Sequence, residues 1–264
     1  MSIAEALDHV GVVTPDMAAA CVEWERLGFA LTPLARHEGA GTGNRCAMLR
    51  QGYIELIATI DPSRPSATLA RFLAHHAGIH IVTFAIADEA AAAARLARAG
   101  LQVQPVASAR ATDGPPARFI RLPLVDADPR LQLLRHLTPE LVWQERFLTH
   151  PNHAAALECV VMAAPAPATL AARLSRVAGV AVRPDPAGGY MLPLAHGSVR
   201  VLAPETVAGA FPGLDIPEPP CVAGIVLRTD DANTAAAALP PDLAHPVPGG
   251  VLAQAGGVAI LFAA

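Results

Sequence analysis

Apolar and polar positions along the chain repeat one pattern four times. The copies begin LDHVGVVTPDMAAACVEWERLGFAL at Leu7, GIHIVTFAIADEAAAAARLARAGLQV at Gly78, LECVVMAAPAPATLAARLSRVAGVAV at Leu157 and VAGIVLRTDDANTAAAALPPDLAHPV at Val222, so the successive offsets are 71, 79 and 65 residues. In each copy an apolar run of strand length leads through a small polar residue or a proline into an Ala/Leu/Arg stretch of helical period. Thr14 or Asp16, Asp88, and Asp230 or Asp231 stand where a side-chain oxygen can accept from the free N–H groups of a first helical turn. Gly28, Gly100 and Gly179 follow the first three helices, where a left-handed residue closes a helix at least cost. Strand candidates then follow at 29–33, 45–50 and 53–57, at 101–106, 117–123 and 131–136, at 180–183, 189–194 and 198–202, and at 245–247, 251–255 and 258–262. Every unit therefore reads β-α-β-β-β. The pattern predicts an α+β protein of four βαβββ modules. Modules 1–70 and 71–136 form a first domain, 137–156 a Pro-bearing linker, and 157–264 a second domain.

Composition narrows the function. The 19 basic residues are all arginine. Schiff-base, pyridoxal-phosphate and P-loop chemistries each need a lysine and are excluded. The net charge is −4 and no basic run occurs; two Trp, two Tyr and seven Phe leave little for base stacking. No nucleic-acid partner is expected. No apolar stretch approaches the ~18 residues of a membrane span, so no membrane partner is expected. The opening MSIAEALDH has no basic leader segment and the four cysteines form no short pair, which reads as a cytoplasmic protein with reduced thiols.

The repeat brings candidate chemistry into register. With the first strands of the first two units lined up, His9 in LDHVGVV falls opposite His80 in GIHIVTF; with their last strands lined up, Glu55 in YIELIA falls opposite Gln132 in RLQLLRH. First and last strands of two modules packed face to face would bring these four side chains together. Two imidazoles and a carboxylate bind Zn, Fe, Ni, Co or Mn, with Gln132 as a neutral oxygen donor. In the third and fourth units the position of His9 is taken by Glu158 or Cys159 and by Ala223 or Gly224. That of Glu55 is taken by Arg200 and by Ala259 or Ile260. The second domain is expected to be degenerate.

These residues resemble the vicinal-oxygen-chelate superfamily, which includes glyoxalase I, extradiol dioxygenases and fosfomycin-resistance proteins. The resemblance is carried by LDHVGVVTPD with His9 and by YIELI with Glu55. With the trailing LTPELVWQERFLTHPNHA it is closest to bacterial glyoxalase-like domain proteins. It implies a divalent metal on His9, Glu55, His80 and Gln132, and a small substrate chelating it through vicinal oxygens. The implied activity is a lyase, isomerase or dioxygenase. Gln132 cannot take a proton, so the chemistry differs from that of glyoxalase I, and Glu55 or His37 would move the proton. The alternative is a non-catalytic binding protein of the antibiotic-sequestering type. His37 and Glu38 precede a glycine-bearing segment, 39–43, that suits a lid. Trp143, Arg146 and His150 are candidates for the pocket mouth, or for a linker fixing the two domains. Asn152, grouped with them as a substrate-binding candidate, is placed to cap a short helix at 154–157. A monomer and a homodimer are both compatible with the sequence.

Overall fold

Each repeat folds as βαβββ. The computed structural model describes residues 3–112, 114–124 and 128–264. The first module is β1 (Ala6–Val13), α1 (Met17–Arg26), β2 (Ala35–Arg36), β3 (Thr42–Met48) and β4 (Tyr53–Thr59), followed by a connecting helix α2 (Ala67–Leu73). The second is β5 (Gly78–Ala85), α3 (Glu89–Arg98), β6 (Val106–Arg110), β7 (Ala117–Leu124) and β8 (Arg130–His136). The third is β9 (Ala154–Ala163), α4 (Pro167–Ala178), β10 (Arg183–Pro184), β11 (Tyr190–Pro193) and β12 (Ser198–Leu202), followed by α5 (Pro204–Ala210). The fourth is β13 (Cys221–Thr229), α6 (Ala232–Ala238), β14 (His245–Val247), β15 (Gly250–Ala255) and β16 (Val258–Ala263).

Asp16, Asp88 and Asp231 cap their helices, each accepting from backbone N–H groups of the first turn. Gly179 is the left-handed C-cap of α4, at φ 69°. The apolar runs after the first two helices do not begin strands, as their composition suggests. Phe29 N–H donates to Trp24 O and Leu101 N–H to Leu96 O, so these residues fold back over the helix end as its hydrophobic closure. Apart from an isolated Leu31–Ala47 bridge, the strands begin at Ala35 and Val106.

Modules pair through their first strands. One eight-stranded sheet runs β2-β3-β4-β1-β5-β8-β7-β6 and the other β10-β11-β12-β9-β13-β16-β15-β14. β1–β5 and β9–β13 are antiparallel, whereas each first strand pairs in parallel with its module's last strand. The outer strands β2 and β6 of the first sheet meet in a His37–Arg110 bridge, with Ala111 N–H donating to Arg36 O at 3.1 Å, and so close that sheet around a cavity. In the second sheet the matching space is filled with hydrocarbon: Val207 and Phe211 pack on Cys159, Val161, Leu202 and Leu252. A single large core including Trp24, Leu27, Phe29, Phe84, Leu174 and Phe262 joins the two halves.

A β-bulge marks the start of every module. In the β1–β5 ladder Leu7 faces Phe84 and His9 faces Thr83, leaving Asp8 as an extra residue; Gly11 faces Ile81 and Val12 faces Ile79, leaving His80 as the extra residue. The β9–β13 ladder does the same at Glu158 and Ala223. Asp8, His80, Glu158 and Ala223 are thus the equivalent positions.

Candidate functional site

The closed sheet surrounds a cavity of about 270 Å³ whose wall includes His9, His37, Glu55, Arg121, Arg130 and Gln132. β1 brings His9, β4 Glu55 and β8 Gln132. The segment between β2 and β3 brings His37.

The bulge at Asp8 makes neighbours in sequence into neighbours in space. Side chains of consecutive strand residues normally point to opposite faces. Here Asp8 Oδ1 lies 2.6 Å from His9 Nδ1 and its Oδ2 lies 2.8 Å from His136 Nε2. On the far side of the ring, His9 Nε2 lies 3.0 Å from Thr83 Oγ1, which accepts at 2.9 Å from the Gln132 amide. This chain fixes its own polarity. Asp8 is an anion and can only accept, so the His9 proton sits on Nδ1, and in the neutral ring Nε2 is the acceptor of the Thr83 hydroxyl proton. Burial alone would raise the Asp8 pKa, but His136 and His9 hold it well below the usual carboxylate range. The His9 ring also stacks on Tyr53 at 4.4 Å between centroids.

Glu55 stands beside this chain. Its Oε2 is 3.6 Å from His9 Nε2 and its Oε1 is 3.4 Å from His37 Nε2. Asn44 donates its side-chain N–H to Oε1, and His37 Nδ1 is anchored 2.8 Å from Thr42 Oγ1. Burial would raise the Glu55 pKa. The hydrogen bond from His37, the charges of His9 and His37 and the bond from Asn44 outweigh it and hold the carboxyl at about 2. Glu55 is therefore an anion at neutral pH.

His80 does not join this group. As the bulged residue of β5 it turns under α2, stacks on Phe72 at 4.7 Å and on His76 at 4.1 Å, and donates from Nε2 to His76 O at 2.8 Å. The ladders give the reason. Glu55 pairs with Gly11 and Gln132 with Thr83, so β1 and β5 correspond at an offset of 72, and the counterpart of His9 is Ile81. A shift of one residue exchanges the faces of a strand. The same count sets Cys159, Arg200, Gly224 and Leu261 at the corresponding places of the second sheet, correcting the expected Ala259 or Ile260.

The linker candidates also lie elsewhere. His150 is buried, with Nε2 2.7 Å from Met48 O and Nδ1 accepting from Ala30 N–H at 3.0 Å. Asn152 donates to Leu27 O at 2.7 Å and accepts from Ala154 N–H at 3.1 Å, and residues 154–157 are the start of β9, not a helix. Trp143 donates to Leu49 O at 3.1 Å and packs edge-on against Tyr53, behind the cavity wall. Arg146 borders a separate small groove with Leu141 and Phe147. His150, Asn152 and Trp143 fasten the linker to the first module, whereas Arg146 bonds within the linker, to Gln144 Oε1 at 3.0 Å.

Sequence reading missed Asp8, Asn44, Thr83 and the arginines of the wall. Period-two counting back from Gln132 puts Arg130 on the same face, which was a usable signal. Arg121 required knowing that β7 pairs with β8, where it faces Leu134. Asp8 was hidden because alternation turns it away from His9 unless a bulge intervenes.

Residues 7–178, about two thirds of the chain, match the family model described as a glyoxalase-like domain. The chain belongs to the glyoxalase-like family. It is thereby a member of the vicinal-oxygen-chelate superfamily, as its opening residues suggested. No relative among curated proteins matches the sequence. Solved structures share the fold of this glyoxalase-like protein at low identity. A hypothetical protein from Staphylococcus aureus aligns with TM-score 0.73 and 10% identity over 97% of this chain and 98% of its own. The Mn(II)-bound glyoxalase from Novosphingobium aromaticivorans aligns with TM-score 0.59 and 15% identity, over 99% and 82%. A mutant 4-hydroxymandelate synthase from Streptomyces coelicolor aligns with TM-score 0.61 and 12% identity, over 98% and 92%.

The donor set of this glyoxalase-like protein does not fit a resident metal ion. The quartet expected from the resemblance has Ile81, a hydrocarbon, where its second imidazole belongs, and His9 Nε2 already accepts from Thr83. Among the described residues no three His, Cys, Asp or Glu side chains converge to hold an ion. No helix among them is long and apolar enough to cross a membrane.

Proposed function

We propose that this glyoxalase-like protein is a small-molecule enzyme of lyase or isomerase type, in which Glu55 and His37 move a proton in the cavity of the first domain without a resident metal. The observation that carries the reading is the 3.4 Å approach of His37 Nε2 to Glu55 Oε1 on the cavity wall. Glu55 is held ionised and accepts a proton from a carbon acid placed beside it. His37, half-exposed, exchanges that proton with the product or with water. A substrate filling the cavity displaces water from Glu55 and strengthens it as a base. Asp8 and Thr83 lock His9 beside Glu55, and Asn44, donating to Oε1, keeps the Glu55 carboxylate in place. Dioxygenase chemistry is not part of this reading, because Ile81, a hydrocarbon, stands at the place of the second imidazole that the resemblance implies.

A second reading, non-catalytic sequestration of a small molecule, is favoured by the hold that His37, His9 and Asn44 keep on Glu55, which makes it a weak base in the empty cavity. Solvent exchange separates the two. The protein is incubated in D₂O with a panel of small oxo and hydroxy acids, and loss of C–H signals is followed by NMR. Exchange by the wild type, abolished in Glu55→Gln, supports the enzyme. Saturable binding without exchange of any panel member supports sequestration.

A further inference from the structure

The cavity wall carries more positive charge than the acid–base group can use. Arg110, Arg121 and Arg130 line it, against Glu38 and Glu55 as the acidic side chains. Three arginines against two carboxylates leave a surplus of one positive charge before either histidine is counted. Arg110 has internal work: its Nη1 lies 3.3 Å from Cys46 Sγ and its guanidinium covers the Phe119 ring at 5.9 Å. Arg121 and Arg130 have little. Arg121 Nε donates to Ser108 Oγ at 3.0 Å, its one protein acceptor among the described residues. Arg130 Nε is buried with no hydrogen-bond partner, and Arg130 forms no ion pair among the described residues. Both side chains are partly removed from water and neither has a carboxylate in ion-pair contact among the described residues; only the charge of Glu55 in the same cavity offsets theirs, an arrangement that costs free energy unless something else supplies an anion at the guanidiniums.

The two guanidiniums stand on adjacent paired strands. Arg121 pairs with Leu134 on β8, the strand that Arg130 opens and on which Gln132 lies between them. Burial pushes both pKa values down, for Arg130 the charges of Arg121 and Arg71 add to the effect, and Glu55 offsets it only in part. They are close enough to repel one another, and they remain charged. Planar, multi-donor guanidinium groups match oxyanions better than any other side chain.

We propose that Arg121 and Arg130 form an oxyanion-binding subsite, so that the molecule taken by this cavity is a small organic acid whose carboxylate or phosphate group sits on the β7–β8 wall with its reactive end toward Glu55. This rests on the assignment of the cavity as the ligand site and names the substrate class. Glu55 opposes the bound anion by charge, which keeps the two ends of the ligand apart and orients it.

The test uses the full chain with two probes, inorganic phosphate and malonate, each titrated against NaCl at matched ionic strength and followed by calorimetry and thermal unfolding. The wild type should bind at least one probe saturably and gain thermal stability. Arg121→Gln and Arg130→Gln should each weaken binding at least tenfold. Arg135→Gln, which removes an exposed cation paired with Glu89 outside the cavity, should leave it unchanged. Glu55→Gln should tighten it. Malonate alone assigns a carboxylate ligand, phosphate alone a phosphate ester, and both an undiscriminating oxyanion subsite. Absence of binding beyond the NaCl control overturns the proposal. So does undiminished binding in the two variants, with folding confirmed by circular dichroism. Anion binding without solvent exchange in any acid would leave the subsite standing and remove the proton-transfer reading. Exchange that ignores both arginines would do the reverse.

Discussion

His9 Nδ1 lies 2.6 Å from Oδ1 of Asp8, the residue immediately before it in the same strand. Only the β-bulge at Asp8 makes that contact available, and His136 uses the other oxygen of the same carboxylate at 2.8 Å. Asp8→Ala would leave two buried ring N–H donors unpaired. At about 1–3 kcal/mol for each orphaned donor, the loss is roughly 2–6 kcal/mol. Urea unfolding of the variant measures it; a loss under about 1 kcal/mol would mean that Asp8 does not hold the two rings. Asp8→Asn, which keeps an acceptor for one ring, should fall between.

The register assignment makes a sharper claim. Ile81, not His80, is the counterpart of His9, so Ile81→His completes a His/His/carboxylate group around the cavity while His80→Ala does nothing to it. Wild type and His80→Ala, purified without a tag and dialysed against a chelator, should show the same weak affinity for Zn²⁺ and Mn²⁺. Ile81→His should bind at least one of them tenfold or more tightly. Elemental analysis giving one equivalent of metal in the wild type, lost in His80→Ala, would overturn both the register and the donor assignment.

Those two positions also mark how far the sequence could be read. Four βαβββ modules were legible because strands, caps and closing glycines repeat, and because each depends on local chemistry. His9, Glu55 and Gln132 were legible for the same reason. His80 was misplaced by one residue because the repeat was aligned on its apolar starts, and a bulge in each first strand is invisible to alternation. His150 and Asn152 look like pocket residues by type, and only the backbone groups of Met48, Ala30 and Leu27 reveal what they satisfy. The arginine wall depends on strand pairing, which the linear pattern does not contain.

Asn152 and the cavity should separate cleanly. Its amide bonds Leu27 O and Ala154 N–H, both internal, and it joins the end of α1 to the start of β9. Asn152→Ala should cost about 1–3 kcal/mol, the range for buried partners left unsatisfied, and leave the affinity for malonate or phosphate unchanged. A variant of normal stability with weakened anion binding would return Asn152 to the site.

The histidines under α2 set a stability slope with pH. His76 packs against His80 at 4.1 Å, its Nε2 is buried without a partner, and burial together with the charges of His80 and His75 lowers its pKa from 6.5 to about 4. Burial likewise lowers the pKa of His80. Between pH 6.5 and about 4 the unfolded chain takes up a proton at position 76 that the folded chain refuses. Stability contributed by the neutral ring is therefore present above the unfolded value and lost as pH falls through this window. His76→Gln removes the titration. Thermal unfolding at several pH values from 7.5 to roughly 4.5 should show a shallower decline in the variant than in the wild type. Because Leu69 of α2 lines the cavity and shares a core with Phe72 beneath it, probe binding, which weakens in both proteins as the probes themselves take up protons, should weaken more steeply in the wild type than in the variant over the same window. Parallel slopes in the two proteins would show that His76 is paired in solution and that the α2 end is indifferent to its charge.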